Sequence, residues 1–185
     1  DPLLQVSMEE GQYVLAGAGE LHLEVCLNLL KEDFLKGAEI VEKDPVVEFR
    51  ETIEEPTIQV FARSPNSHNK IYLNAEPLGE KLTKALEDGL FSKITDAKER
   101  ARTLVDKYGW SVVDAKKIWG WYPEQSPTNI IVDCSRGIQF MHEIKDHVLA
   151  GFKWAMENGP LCEEPVRGVR FNILDAVLHA DAIHR

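Results

Sequence analysis

The stretch Thr57-Ile-Gln-Val-Phe-Ala-Arg-Ser-Pro-Asn-Ser-His-Asn-Lys-Ile-Tyr-Leu-Asn-Ala75 decides the fold. Thr57 to Ala62 is rich in β-branched and aromatic residues, as is Ile71 to Ala75, and each run reads as a strand. Between them Ser64-Pro-Asn66 and His68-Asn69 supply turn chemistry: proline presets φ, and serine and asparagine bond their own backbone. The prediction is a hairpin with a polar tip, opening a domain that continues to the end of the chain.

Downstream, helices are expected from about Leu78 to Phe91 and from about Ala97 to Tyr108. The second has Ala101, Leu104, Val105 and Tyr108 on one face and Gly109 as its stop. Asp114 to Trp121 and Ile130 to Asp133 read as strands flanking a loop at Pro123 to Pro127. A helix from about Met141 to Met156 turns Ile144, Val148, Phe152 and Ala155 inward and ends at Gly159-Pro160. Val169, Phe171 and Ile173 alternate with Arg170, Asn172 and Leu174 in a last strand. It delivers the chain to His179-Ala-Asp-Ala-Ile-His184-Arg185.

Upstream, Leu4 to Met8 and Tyr13 to Ala16 form a second hairpin. Leu23, Cys26, Leu27 and Leu30 then follow helical spacing up to a stop at Lys36-Gly37, a strand is expected at Ala38 to Val41, and Asp44-Pro45 leads to extended chain over Val46 to Arg50. Strand, strand, helix, strand is half of a ferredoxin-like unit without its first strand and helix. Composition shifts at Glu54-Glu-Pro56, where the domain boundary is placed, giving 1–54 and 55–185. The class is α+β.

The 185 residues carry 31 acids and 21 bases, a net charge of −10, which would oppose a nucleic-acid partner if it were spread evenly. It is not. Residues 1–55 hold 14 acids and 4 bases, a net of −10, so residues 56–185 hold 17 of each and are neutral. No apolar run approaches the roughly 20 residues that span a bilayer, so no membrane partner is expected. The chain opens on Asp1-Pro2 without an initiator Met and reads as an excised piece. Cys26, Cys134 and Cys162 are scattered, with no CxxC pair and no His read at ligand spacing, which suits a reducing compartment and no metal.

Motif tests for catalysis find little. Gly17-Ala-Gly19-Glu lacks the third glycine of a dinucleotide loop and the Gly-Lys-Ser/Thr of a P-loop, and reads as a tight strand-to-helix turn. His142-Glu143 begins a zinc-protease motif, but its second His would fall at Asp146, and His147 is one place late. Glu163-Glu164 reads as solvated loop charge. The final loop is different, because two histidines, an acid and an arginine crowd seven residues beyond a strand. Such groups bond phosphate, ribose and base edges, so the loop is either an RNA-contacting tip or an ordinary polar surface.

Seven stretches settle the comparison with known families. Gly19-Glu-Leu-His-Leu-Glu24, Asp44-Pro-Val-Val-Glu-Phe-Arg-Glu-Thr52, Ser64-Pro-Asn-Ser-His-Asn-Lys-Ile-Tyr-Leu73, Ala75-Glu-Pro77, Ala115-Lys-Lys-Ile-Trp119, Gly159-Pro160 and Asn172-Ile-Leu-Asp175 resemble, in order, stretches of the eukaryotic translation elongation factor 2 family. The end of the chain is similar to that family's His-x-Asp-x-x-His-Arg loop. The resemblance implies that residues 1–54 are the later part of a ferredoxin-like third domain. Residues 55–185 would be most of a fourth domain, an incomplete α/β domain like domain 2 of ribosomal protein S5.

It also implies a mechanical role at the ribosome, where the fourth domain enters the decoding region as tRNA and mRNA advance. The tip would be Pro65, Asn66, His68, Asn69 and Lys70 beside His179, Asp181, Ile183, His184 and Arg185. His184 falls where the family carries diphthamide, made by dedicated synthesis enzymes and used as the ADP-ribose acceptor of diphtheria toxin and related toxins. No catalytic residue, cofactor or metal is expected in this stretch. GTP and Mg belong to an amino-terminal GTPase domain of a cytoplasmic, monomeric parent. Departures are Ala18, where the family has a hydroxyl residue, the loop Gly120 to Pro127, and an end at Arg185 ahead of the family's glycine-rich continuation. The related splicing GTPase lacks the His-x-Asp part of the loop, so His179 and Asp181 favour the translation factor. A metal-dependent or acid-base enzyme, and a fragment without activity of its own, are the other classes considered.

Overall fold

The computed structural model describes residues 1–9, 11–36, 40–94 and 96–180, and the chain divides into two units, Asp1–Glu48 and Phe49–Arg185. In the first, β1 (Gln5–Glu9) and β2 (Gln12–Ala16) pair antiparallel, with Gln5 opposite Ala16 and Glu9 opposite Gln12. Helix α1 (Glu20–Leu29) follows and winds into one wider π turn, Leu30–Leu35. Lys36, at φ 47°, takes the left-handed position that closes it. Gly37, Ala38 and Glu39 lie outside the described residues. The expected strand does not form where it is described: Ile40 and Val41 join no ladder and Val41 stays 95% exposed, while Val46 to Arg50 run without a ladder. A strand needs a paired neighbour, and alternation alone supplies none.

The second unit is a five-stranded sheet in the order β3-β4-β7-β6-β5, antiparallel throughout except where β6 meets β7. β3 (Val60–Arg63) and β4 (Lys70–Pro77) are the expected hairpin, though the ladder begins at Val60 and not at Thr57. The expected helix from Leu78 to Phe91 is two, α2 (Glu80–Glu87) and α3 (Leu90–Lys93), because Gly89 turns to φ 83° between them. Helix α4 (Ala97–Tyr108) has the expected bounds. The Asp96 carboxylate accepts from the Lys98 N–H at 3.2 Å at its start, and Gly109 at φ 70° ends it.

Asp114 to Trp121 is corrected. Its first part belongs to a short helix, α5 (Val112–Lys116), and only Ile118–Tyr122 is strand, β5. Ser111 starts the helix by accepting the Val113 N–H on Oγ at 3.2 Å, and Ala115 is buried on its inner side. β6 (Asn129–Asp133), α6 (Met141–Glu157) and β7 (Val169–Val177) follow.

Layers form on both faces of this sheet. Ile130 and Val132 turn to one face, where they meet Leu82 and Leu86 of α2, Leu104 of α4 and Ala115 of α5. Ile131 turns to the other with Val169 and Ile173, against Met141, Phe152 and Met156 of α6. The uninterrupted apolar run of β6 is the pattern of a strand covered on both sides. In β7 the alternation breaks once: Leu73 faces Ile173 but Tyr72 faces Asp175, so Leu174 is an inserted bulge residue and Ala176, not Asp175, points inward.

The structural division lies between Glu48 and Phe49, ahead of Glu54-Glu-Pro56, because Glu51 is fastened inside the second unit. Its backbone pairs with Pro165 and Arg167 at 2.9 and 2.8 Å. Its carboxylate accepts from the N–H groups of Leu161, Cys162 and Glu164 at 2.9, 2.8 and 3.2 Å.

Candidate RNA-contacting tip

The β3–β4 connection is built by its own side chains. The Ser64 N–H donates to the Asn69 carbonyl at 2.9 Å, and Ser64 Oγ accepts the Asn69 N–H at 3.0 Å. Asn66 Oδ1 accepts from Ser64 Oγ at 2.5 Å and from the His68 N–H at 3.1 Å. Ser67 holds φ 60° at the bend. The loop therefore has a defined shape, which the serine and asparagine predicted.

Pairing of β4 with β7, Lys70 against Val177, brings the last described residues to the same end of the sheet. There the His179 N–H donates to Asn69 Oδ1 at 3.1 Å, and the His68 and His179 rings meet edge to face with centroids 5.9 Å apart. Of the expected tip, the structure joins His68, Asn69 and His179, with Pro65 and Asn66 exposed in the same loop and Lys70 at the foot of β4. Asp181, Ile183, His184 and Arg185 lie outside the described residues. Histidine rings and amides at a fixed strand end can stack on bases and bond ribose or phosphate.

Other polar clusters are internally satisfied. Arg170 bonds Asn172 at 2.7 Å, Glu76 at 3.1 Å and Asp114 at 2.8 Å, with its guanidinium 4.3 Å above the Trp110 ring. Asn172 in turn donates to Asn74 and Glu76. Cys134 adjoins this network, and burial first, then the Asp114 charge, push its thiol up against the opposing pull of Arg170. Iodoacetamide at mildly alkaline pH should alkylate exposed Cys162 well before Cys134, read by peptide mass spectrometry; the reverse order would contradict this environment.

One cluster escaped the sequence reading. His22 and Cys26 stand one helical turn apart, a spacing that suits a metal, and with Asp1 their ligand atoms all lie within 4.8 Å of one another. Both ring nitrogens of His22 are engaged, however. Nδ1 accepts the Ala18 N–H at 3.0 Å and Nε2 faces Asp1 at 3.2 Å. His22 thus ties the chain just before α1 to its first turn, where Gly19 offers no side-chain cap. Among the described residues no helix is long and apolar enough to cross a membrane.

A mixed α+β sheet of this order, with two loops meeting at one end, defines a domain of the ribosomal protein S5 domain 2-like class. The family model described as elongation factor G, domain IV matches residues 91–185. The chain belongs to that family, and with it to the translation elongation factors that act on the ribosome.

Proposed function

We propose that the chain is part of a eukaryotic-type elongation factor 2, the later third domain at 1–54 and the fourth domain from 55, and that it carries the tip which enters the decoding region during translocation of tRNA and mRNA. The observation that carries this reading is the joining of the Ser64–Asn69 loop to His179 in a domain of the elongation factor G family. The supporting logic is mechanical. GTP is hydrolysed in an amino-terminal domain of a cytoplasmic, monomeric parent, and a stiff sheet transmits the displacement to its end. The tip then contacts tRNA and mRNA through backbone and base groups rather than catalysing a reaction. The even charge of 56–185 suits such contact better than the acidic 1–55.

On this reading His184 is the diphthamide position, the product of diphthamide-synthesis enzymes and the acceptor for ADP-ribosylating toxins. Native full-length protein treated with diphtheria toxin and NAD should gain one ADP-ribose on the His184 peptide. An unchanged mass rules the assignment out. Replacing His184 or Asp181 in that protein should impair translocation and its fidelity more than GTP hydrolysis, and equal loss of both would contradict a tip role.

A further inference from the structure

Next to the tip, one face of the sheet is left open. Helices α2 to α5 cover that face over β5 and β6, and the Arg170 network occupies it over the lower part of β4 and β7. Towards β3, among the described residues, no helix of this unit contributes to a core on it. There Phe61 and Tyr72 stand directly opposite each other across the ladder, with ring centroids 5.7 Å apart and planes at 39°. Phe61 is 52% exposed. Two pairs nearer the tip, Arg63 faces Lys70, and alternation puts both on the same face as the two rings. The Arg63 guanidinium lies 5.1 Å above the Phe61 ring, so the ring already holds a flat, electron-poor group. Among the described residues neither Arg63 nor Lys70 has a carboxylate partner.

We infer that the Phe61–Tyr72 pair is a stacking platform for an unpaired nucleotide, with the adjoining phosphate held by Arg63 and Lys70. This rests on the RNA-contacting role proposed above and names a second element of that contact. An exposed Phe61 ring beside a half-buried Tyr72 ring, with cations at one end, matches a base and its phosphate. A protein partner would find only a small apolar surface here, whereas a single base covers a ring pair and brings its own phosphate to the cations. Direction is set by charge. Asp175 faces Tyr72 from β7 and repels phosphate, so the phosphate sits towards Arg63 and Lys70 and the base over the rings. Arg63 leaves the Phe61 ring for the phosphate as the base arrives. Continuity with the tip is direct, since Phe61 is three residues before Ser64, about 10 Å along a strand.

The test is fluorescence anisotropy of the full chain with labelled single-stranded oligouridylate of about 12 nucleotides and with an RNA duplex of the same length. Phe61→Leu keeps an apolar residue on the strand and removes the π face. It should weaken single-strand binding about tenfold and leave duplex binding unchanged, with an unaltered melting curve. Arg63→Gln should weaken binding to the single strand and lower the salt slope by about one. Wild-type affinity for the single strand in Phe61→Leu overturns the platform. If Asn69→Ala loses binding to both RNAs while Phe61→Leu loses none, the tip stands and the platform falls. If only Phe61→Leu loses binding, the platform stands without the tip. Absence of binding by the wild-type chain to either RNA overturns both.

Discussion

Replacing Asn129 with alanine is expected to lower the stability of the second unit by about 3 kcal/mol. Asn129 opens β6 and is 0% exposed. Its Nδ2 donates to the Val166 carbonyl at 2.5 Å and reaches Thr128 Oγ1 and the Tyr122 carbonyl at 3.2 and 3.4 Å. Its Oδ1 accepts the Val169 N–H at 3.1 Å. One amide therefore satisfies the backbone leading into β7 from both sides, at a place sealed from water. Alanine orphans a carbonyl and an N–H there, each costing roughly 1–3 kcal/mol, and fills none of the space. Asn129→Asp should be no better, because it keeps the acceptor but buries a charge facing a carbonyl. All four tryptophans, Trp110, Trp119, Trp121 and Trp154, lie in this unit, so urea unfolding followed by tryptophan fluorescence reports it alone. An unchanged midpoint for Asn129→Ala would show that the amide carries no such weight.

What sequence made readable was whatever depends on near neighbours. Helix α4 announced itself through Gly109 and the inward row of Ala101, Leu104, Val105 and Tyr108, all within one segment. The Ser64–Asn69 turn did so through proline, serine and asparagine. The misreadings came where local preference conflicted with a cap or lacked a partner. Asp114 to Lys116 falls in the stretch read as a strand, yet the Ser111 hydroxyl and burial of Ala115 win a helical turn there. Ile40 and Val41 have strand-like composition but pair with no neighbour among the described residues.

The site divides in the same way. Asn69 and His179 are 110 residues apart, and nothing local to either predicts their bond; it follows from the β4–β7 register, a property of the folded sheet. The histidine-rich ending could be noticed from chemistry alone, but its partner loop could be joined to it only through the resemblance or the structure. Glu51 is the plainest case, a single acid in a charged stretch whose three N–H partners lie more than a hundred residues away.

That acid underlies the second large effect, expected of Gly159→Ala. A Cβ on Gly159 would stand 2.6 Å from the Glu164 carbonyl oxygen and 2.6 Å from Glu51 Oε2, closer than real Cβ contacts come. The first obstacle is backbone, so the loop from Gly159 to Glu164 has to open, and overpacking of this kind costs about 1–3 kcal/mol. Opening it also withdraws the three N–H groups from Glu51, which is 8% exposed. The consequence is visible in pH dependence. Burial alone would raise the Glu51 carboxyl, but the bonds from Cys162, Leu161 and Glu164 outweigh it and hold the group below its ordinary 4.5. A carboxyl lowered on folding stabilises the native state above its unfolded value, and that contribution disappears as pH falls through the folded value. Wild-type urea midpoints should therefore fall more steeply below about pH 4.5 than those of Glu51→Gln. The gap between the two should be widest near neutrality and close in acid. Gly159→Ala should lose the same acid-sensitive part, its curve running parallel to that of Glu51→Gln and beneath the wild type. If Gly159→Ala keeps the wild-type steepness, the glycine is not what lets the three N–H groups close on Glu51.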